Sequence, residues 1–219
     1  MICSVDIETV PNEFWANELP ALETLKTAKQ SLEDAERERI KQMSLEPNFG
    51  MIVSIACAND NAQFVEGATS AAEEANLLKK FWETVAEPQT KIVTFCGKDF
   101  DIPYILRRSW YLAIEPTQDF DMNPYHKTGN HYDIYSLLHH GGHQEKKKMI
   151  GVKQGLAFYA RRVLHVTMPD EKPIYELFKA GNMAEIKRLN LEDAVATWKL
   201  FIEMRGYYHD EIVGVTDPI

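Results

Sequence analysis

The sequence predicts an α/β fold in which a mixed central β-sheet is flanked by helices. Short runs rich in β-branched and apolar residues are typical of strands at residues 2–8, 51–58 and 91–95. Apolar residues recur at helical spacing over residues 71–86 and 183–205. The order along the chain is a β meander, then alternating helices and strands, then helices. This order indicates a mixed sheet with helices packed on it.

Local signals predict the remaining elements. Residues 59–61 read Asn-Asp-Asn, which favours a turn, and residues 62–66 would return as a third strand. Further helices are expected over 102–110, 133–138, 151–160 and 172–179. No repeat, linker or low-complexity segment marks a boundary, so we expect a single domain over residues 1–219.

Residues 17–45 interrupt this order as a predicted helical insertion between the first two strands. Apolar residues recur there at helical spacing, at Leu22, Leu25, Ala28, Leu32 and Ala35. Glu33 and Arg37 form a favourable pair one helical turn apart. We interpret the insertion as a lid packed on the body of the protein; the alternative is a surface that contacts substrate or a partner.

Composition and charge narrow the class of protein. Hydrophobic residues make up 45% of the chain and charged residues 26%, which is typical of a soluble globular protein. The net charge of −9 argues against a protein that coats nucleic acid, but it does not exclude an enzyme that binds a few phosphates locally. No run approaches the roughly 20 apolar residues of a membrane span, so no membrane partner is expected. Three scattered cysteines, Cys3, Cys57 and Cys96, indicate reduced thiols in the core of a cytoplasmic protein.

Four carboxylates in three segments are the candidate functional residues. Asp6 and Glu8 lie two apart on the first strand and therefore project from the same face. Asp101 stands at a helix start and Asp193 lies inside the last helix. Each acid alone is more typical of a solvated edge, a helix N-terminus or an exposed helix face. If they converge, their mutual repulsion calls for cations, and two Mg²⁺ or Mn²⁺ ions would satisfy the oxygen ligands and support phosphodiester cleavage.

In their order and spacing these segments resemble the DEDD superfamily of 3′–5′ exonucleases, which has a ribonuclease H-like fold. More closely, the chain resembles the predicted exonucleases related to the proofreading domain of family B DNA polymerases. The matching segments are Asp6-Ile7-Glu8-Thr9-Val10-Pro11, residues 47–55, residues 97–108, His131-Tyr132-Asp133-Ile134, and Asp193 with Thr197. The strongest single match is the second motif, at residues 97–108. The resemblance covers nearly the whole chain apart from residues 17–45.

The resemblance implies a function and a site. It makes Asp6, Glu8, Asp101 and Asp193 the catalytic metal ligands of a two-metal exonuclease. The substrate would be single-stranded DNA or DNA 3′ ends, cut to nucleoside monophosphates, and replication or repair proteins would be the partners. In the same interpretation Thr9 lies near the terminal nucleotide and Phe100 packs close to its base. Arg188 would contact a phosphate.

Two departures from the family pattern leave alternatives open. The family carries a Tyr four residues before the last Asp, and a sister branch carries a His five before; here these positions are Leu189 and Arg188. Cys96 stands where the family usually has Asn. Candidates to replace the tyrosine are Tyr132, Tyr135, His139, Tyr159 and His165. The alternatives are a slower exonuclease, an exonuclease that uses a substitute residue, and a degenerate nucleic-acid-binding or scaffold protein. The presence of all four carboxylates favours an active nuclease. RNA is the rival substrate, because a carboxylate cage does not distinguish the sugars.

Overall fold

A five-stranded mixed sheet forms the centre of the protein, as predicted. The computed structural model describes residues 1–12, 31–87, 90–123, 129–139, 154–169 and 172–207. Its strands are β1 (Ile2–Pro11), β2 (Gly50–Ala58), β3 (Gln63–Gly67), β4 (Lys91–Thr94) and β5 (His131–Asp133), in the order β3-β2-β1-β4-β5. The pairs β1–β2 and β2–β3 are antiparallel, whereas β1–β4 and β4–β5 are parallel. This architecture is consistent with the ribonuclease H-like fold that the resemblance implies.

Seven α-helices flank the sheet in the part of the chain that is described. They are α1 (Leu32–Leu45), α2 (Ala71–Thr84), α3 (Asp101–Tyr111), α4 (Ile134–Leu138), α5 (Leu156–Tyr159), α6 (Ile174–Lys179) and α7 (Met183–Arg205). A π-helical segment, Ala160–Leu164, follows α5 directly. The helices predicted over 71–86, 102–110 and 183–205 are confirmed. None of the described helices combines the length and the apolar character needed to cross a membrane.

Strand β5 was not predicted. Asp133 was expected at a helix start, and it has two roles: it ends β5, and its side chain accepts a hydrogen bond from the backbone N–H of Ser136 as the N-cap of α4. A strand of three residues, His131–Asp133, is too short to show the alternation by which strands are recognised.

The described part of the predicted insertion is helix α1. Ser31 caps its N-terminus by accepting a hydrogen bond from the Asp34 N–H at 3.0 Å. The predicted pair is present, with Arg37 2.6 Å from Glu33. The first part of the insertion, with Leu22, Leu25 and Ala28, lies outside the described residues. The insertion as a whole therefore stays a prediction.

The alternation of side chains along β1 separates a structural face from a polar face. Val5 and Ile7 are buried in the core cluster that contains residues of α2 and α3. Ser4 points to the opposite face, where its hydroxyl donates to the carbonyl of Ala194 in α7 at 2.7 Å. Because alternate residues of a strand share a face, Asp6 and Glu8 project toward α7 as Ser4 does.

The cysteines agree in part with the expectation of buried thiols. Cys3 and Cys57 are free and buried. Cys96 is also free but only partly buried, and its φ of 69° places it in the left-handed region. It therefore belongs to the turn after β4 and not to the core.

Candidate functional site

Three of the four predicted carboxylates converge. One oxygen from each of Asp6, Glu8 and Asp193 lies within 4.8 Å of the others, and we call these residues the acid cluster. Strand β1 supplies the first two residues and α7 supplies the third. The pairing of β1 with β2 shifts register between Glu8 and Thr9. A shift of register in a strand pair changes the direction in which the following side chains point.

Asp101 lies beside the acid cluster, although it is not one of the three residues whose oxygens meet within 4.8 Å. It is the first residue of α3, is buried, and accepts a hydrogen bond from the Ile7 N–H at 3.2 Å. Ile7 lies between Asp6 and Glu8, so this bond ties α3 to the centre of the site. Burial raises the pKa of Asp101 to about 8, although hydrogen bonds from backbone N–H groups oppose the shift.

The electrostatics of the acid cluster favour a bound cation. Burial is the largest cause that raises the pKa of Asp6 well above its usual 3.8, and repulsion from Asp193, Asp101 and Glu8 adds to it. Burial likewise raises the pKa of Glu8 and of Asp193. These carboxylates are hard to ionise together, and a divalent cation would reverse this effect by stabilising their charged forms.

A buried amide orients Asp6. The side-chain amide of Asn190 donates to Asp6 Oδ2 at 2.7 Å, and its carbonyl oxygen accepts from the Ser54 hydroxyl at 2.7 Å. Asn190 and Ser54 are fully buried. Partners of this kind hold a ligating carboxylate in one orientation. Sequence reasoning missed this network, because an Asn on a helix and a Ser on a strand carry no motif.

A lysine in the site was also missed. Lys172 Nζ lies 2.6 Å from Asp193 Oδ2 and 3.1 Å from Glu8 Oε1, and it donates to the Leu189 carbonyl at 3.0 Å. Burial alone would lower the pKa of Lys172, but the neighbouring carboxylates outweigh it and raise the pKa above its usual 10.5. The sequence shows only an isolated lysine before Pro173, so no spacing pattern points to this contact.

The donors present fit hard divalent cations. The acid cluster offers carboxylate oxygens, which Mg²⁺ and Mn²⁺ prefer, and it includes neither a cysteine nor a histidine. Asp101, at the start of α3, adds a further carboxylate, which accepts a hydrogen bond from Ile7 of β1 between Asp6 and Glu8. The residues that could hold a metal ion are thus the four acids predicted from the sequence.

Comparison with protein families identifies the family of the chain. Residues 44–212, more than half of the chain, match the sequence model of a family described as predicted 3′–5′ exonuclease related to the exonuclease domain of PolB. The chain belongs to this family. No curated protein matches the chain. The matched segment contains Asp101 and Asp193 and begins after Asp6 and Glu8. Asp6 and Glu8 lie outside the matched segment in sequence, but the fold places them beside Asp193, which lies inside it.

The three residues predicted to bind substrate have contacts within the protein. The Thr9 hydroxyl donates to the Ser44 carbonyl of α1 at 2.7 Å. Phe100 precedes α3, and its ring meets that of Tyr104 edge-on with a centroid separation of 5.5 Å. Arg188 lies on the exposed side of α7, paired with two glutamates of that helix. Their roles toward a nucleic acid stay predictions.

Leu189 cannot take the role of the family tyrosine. Its side chain is buried in the apolar cluster that contains Val10, Ile174 and Ile186. Only its carbonyl reaches the site, as the acceptor for Lys172. In this chain, the residue at the position of the family tyrosine is therefore part of the apolar core.

The candidates to replace that tyrosine group mainly into an aromatic cluster. The ring of Tyr135 stacks on His139 with centroids 4.1 Å apart, and Tyr159 meets Phe95 at 6.0 Å. Tyr132 is buried against Phe201. The described contacts to the acid cluster come instead from Asn190 and Lys172, which were not among the candidates.

Gly97 is required by the close approach of the second motif to β4. A Cβ atom on Gly97 would lie 2.4 Å from the Cβ and Oγ1 atoms of Thr94, and the Gly97 N–H donates to the same hydroxyl at 3.2 Å. We expect Gly97→Ala to destabilise the fold by about 1–3 kcal/mol and to displace Asp101. Urea unfolding checks the stability. Gly206→Ala is the matched control because a Cβ atom there meets nothing within 4 Å; equal midpoints for the two variants would contradict this account.

Proposed function

We propose that this protein is a metal-dependent 3′–5′ exonuclease that hydrolyses single-stranded DNA or DNA 3′ ends to nucleoside monophosphates, using two Mg²⁺ or Mn²⁺ ions. The observation that carries the proposal is the convergence of Asp6, Glu8 and Asp193 from two distant segments. The family to which the chain belongs supports the direction of cleavage. The order and polarity of the strands are consistent with the ribonuclease H-like fold of such enzymes.

Each acid has a role that follows from its position. Asp6 is held by Asn190 and can face both partners in the acid cluster, which suits the ligand shared between two ions. Glu8, on β1, and Asp193, on α7, would supply further carboxylate oxygens to the metal. Asp101, fixed by the Ile7 N–H, would complete the set. When bound, divalent cations lower the pKa of a coordinated water and stabilise the charge that develops on the phosphate and the leaving oxygen.

A purely structural role explains the acids poorly. Burial raises the pKa of Asp6, Glu8, Asp101 and Asp193, and repulsion from neighbouring acids adds to the shift, so their charged forms destabilise the metal-free fold. Groups perturbed in this way are typical of functional sites. Lys172 compensates part of the charge through two of the four acids.

A second candidate is a nucleic-acid-binding protein that no longer hydrolyses its ligand. The burial of Leu189 favours it, because a side chain in the core cannot orient a water molecule. A group that acts as a general base contributes about 10²–10⁴-fold to a rate. Fold and family do not distinguish an active exonuclease from a non-catalytic binding protein, so an activity assay is needed.

The decisive assay follows a 5′-labelled single-stranded DNA oligomer in Mn²⁺, in Mg²⁺ and in a chelator. We expect a ladder that shortens from the 3′ end in at least one metal and no hydrolysis in the chelator. An RNA oligomer of matched sequence tests the sugar. Glu8→Gln, purified in parallel, controls for a contaminating nuclease, because Glu8 belongs to the acid cluster.

The outcomes separate the candidates. Hydrolysis of DNA by the wild type alone supports the proposal, and hydrolysis confined to RNA identifies an exoribonuclease. Retained binding of the oligomer without hydrolysis in either metal identifies the non-catalytic protein. A ladder of the same intensity from Glu8→Gln would place the activity outside this site.

A further inference from the structure

We propose that Lys172 is a tethered cation that competes with divalent metal ions for the carboxylates of Glu8 and Asp193. This inference rests on the proposed function, because it concerns the affinity of the same site for its metal. Lys172 lies outside the segments on which the resemblance to the exonucleases rests.

The contacts of the ammonium group carry the inference. Its nitrogen lies 2.6 Å from Asp193 Oδ2 and 3.1 Å from Glu8 Oε1, and it reaches the Leu189 carbonyl at 3.0 Å. A lysine ammonium has three N–H donors, so these three acceptors match its full capacity. Two of the acceptors are carboxylates of the acid cluster, one from β1 and one from α7.

The site around this ion pair is largely closed to solvent. The side chains of Lys172, Glu8 and Asp193 are 10%, 14% and 19% exposed, respectively. Charges that are partly removed from water interact more strongly than charges at an open surface. The contact therefore differs from an exposed ion pair, whose net effect on stability is small.

The backbone holds Lys172 at this place. Pro173 follows Lys172 directly and biases it toward an extended conformation. Pro173 is also the N-cap residue of α6. The next residue, Ile174, is buried in the same apolar cluster as Leu189. A cation fixed to the chain in this way is present at a high effective concentration, unlike a counterion from the buffer.

Competition follows from charge and from space. A divalent ion that binds Glu8 and Asp193 must approach their oxygens to about 2.0–2.1 Å, the usual Mg²⁺–oxygen distance. The ammonium already lies at hydrogen-bond distance from one oxygen of each residue and repels the incoming ion. Metal binding must therefore displace Lys172 or occur against the repulsion of its positive charge.

The test is calorimetric titration of the full chain with Mn²⁺ alone. A neighbouring charge at this distance changes the proton affinity of a carboxylate by roughly 1–3 powers of ten. We accordingly expect Lys172→Met to bind Mn²⁺ about 10- to 100-fold more tightly than the wild type, and Lys172→Gln to change in the same direction. Lys199→Met is the matched control: it removes the same charge from an exposed position of α7, and its affinity should stay at the wild-type value.

Thermal unfolding gives a second readout that needs no turnover. The rise in Tm on adding Mn²⁺ should be larger for Lys172→Met than for the wild type, because stabilisation by a ligand grows with its affinity. Equal or weaker Mn²⁺ binding by both Lys172 variants would overturn the inference and leave the metal site standing. Absence of Mn²⁺ binding from the wild type and all variants would overturn the metal site as well.

Discussion

Asp6→Asn is expected to reduce exonuclease activity by about 10³-fold and, without metal, to raise the Tm of the protein at pH 8. Opposite effects on rate and stability distinguish a functional acid from a structural one. A structural carboxylate would lose stability together with activity.

The loss of activity follows from the central position of Asp6. It is the carboxylate that Asn190 orients, at 2.7 Å, and its oxygens lie with those of Glu8 and Asp193. An amide at position 6 removes one negative charge from the acid cluster. The carbonyl oxygen of the new asparagine can still accept the hydrogen bond from Asn190, so the loss of activity comes from weaker metal binding.

The gain in stability follows from linkage between protonation and folding. Burial and three neighbouring acids raise the folded-state pKa of Asp6 well above 3.8. A carboxyl of this kind stabilises the fold below its unfolded pKa, and this contribution is lost as the pH rises through the folded value. Asparagine has no such titration. The Tm difference between variant and wild type should therefore be small near pH 4 and should widen as the pH rises above it.

Differential scanning fluorimetry in a chelator over this pH range measures the stability effect, and the labelled-DNA assay measures the rate. Asp119→Asn is the matched control, because this substitution removes the same charge from an exposed position. A metal-free Asp6→Asn that melts below the wild type at pH 8 would show that Asp6 stabilises the fold, contrary to this account.

The elements predicted from sequence carry a composition or a periodicity that can be read locally. Strand β2 is buried along its whole length, and α7 carries apolar residues over Met183–Arg205, so both patterns were readable. Strand β5 has three residues and π-helical Ala160–Leu164 has five, and neither is long enough for a period to show. Their conformation depends on pairing and packing with distant residues.

The acids of the site could be predicted because motif spacing fixes their place on elements. Asp6 and Glu8 share a face of β1 by strand geometry alone, and Asp101 starts α3. Lys172 and Asn190 reach the same place through tertiary contacts. Such contacts depend on where α6 and α7 pack, which a single sequence does not encode as a local pattern. For the same reason the burial of Leu189 was visible only in the folded chain.

Arg108→Met is expected to destabilise the protein by about 3–5 kcal/mol, because it breaks a buried ion pair. Arg108 forms two parallel hydrogen bonds to Glu74, Nε to Oε1 at 2.8 Å and Nη2 to Oε2 at 2.7 Å. Their side chains are 4% and 0% exposed. Glu74 Oε1 also accepts from the Ile52 N–H at 2.8 Å, so the pair joins α2, α3 and β2.

Urea unfolding at neutral pH measures this effect. Arg188→Met is the control, since Arg188 forms comparable contacts with glutamates at the exposed surface, and its midpoint should move little. The double variant Glu74→Gln with Arg108→Met should recover part of the loss, because it no longer buries an uncompensated carboxylate. If Arg108→Met alone were as stable as Arg188→Met, the result would show that water reaches the pair of Arg108 and Glu74.

The pair also bears on the site, because Arg108 lies on α3 and Asp101 begins the same helix. Loosening α3 from α2 and β2 should weaken the hydrogen bond from the Ile7 N–H to Asp101, which is 3.2 Å long in the intact fold. We therefore expect Arg108→Met to bind Mn²⁺ more weakly even at temperatures where it remains folded. Unchanged Mn²⁺ affinity in the folded variant would show that Asp101 is positioned by β1 alone.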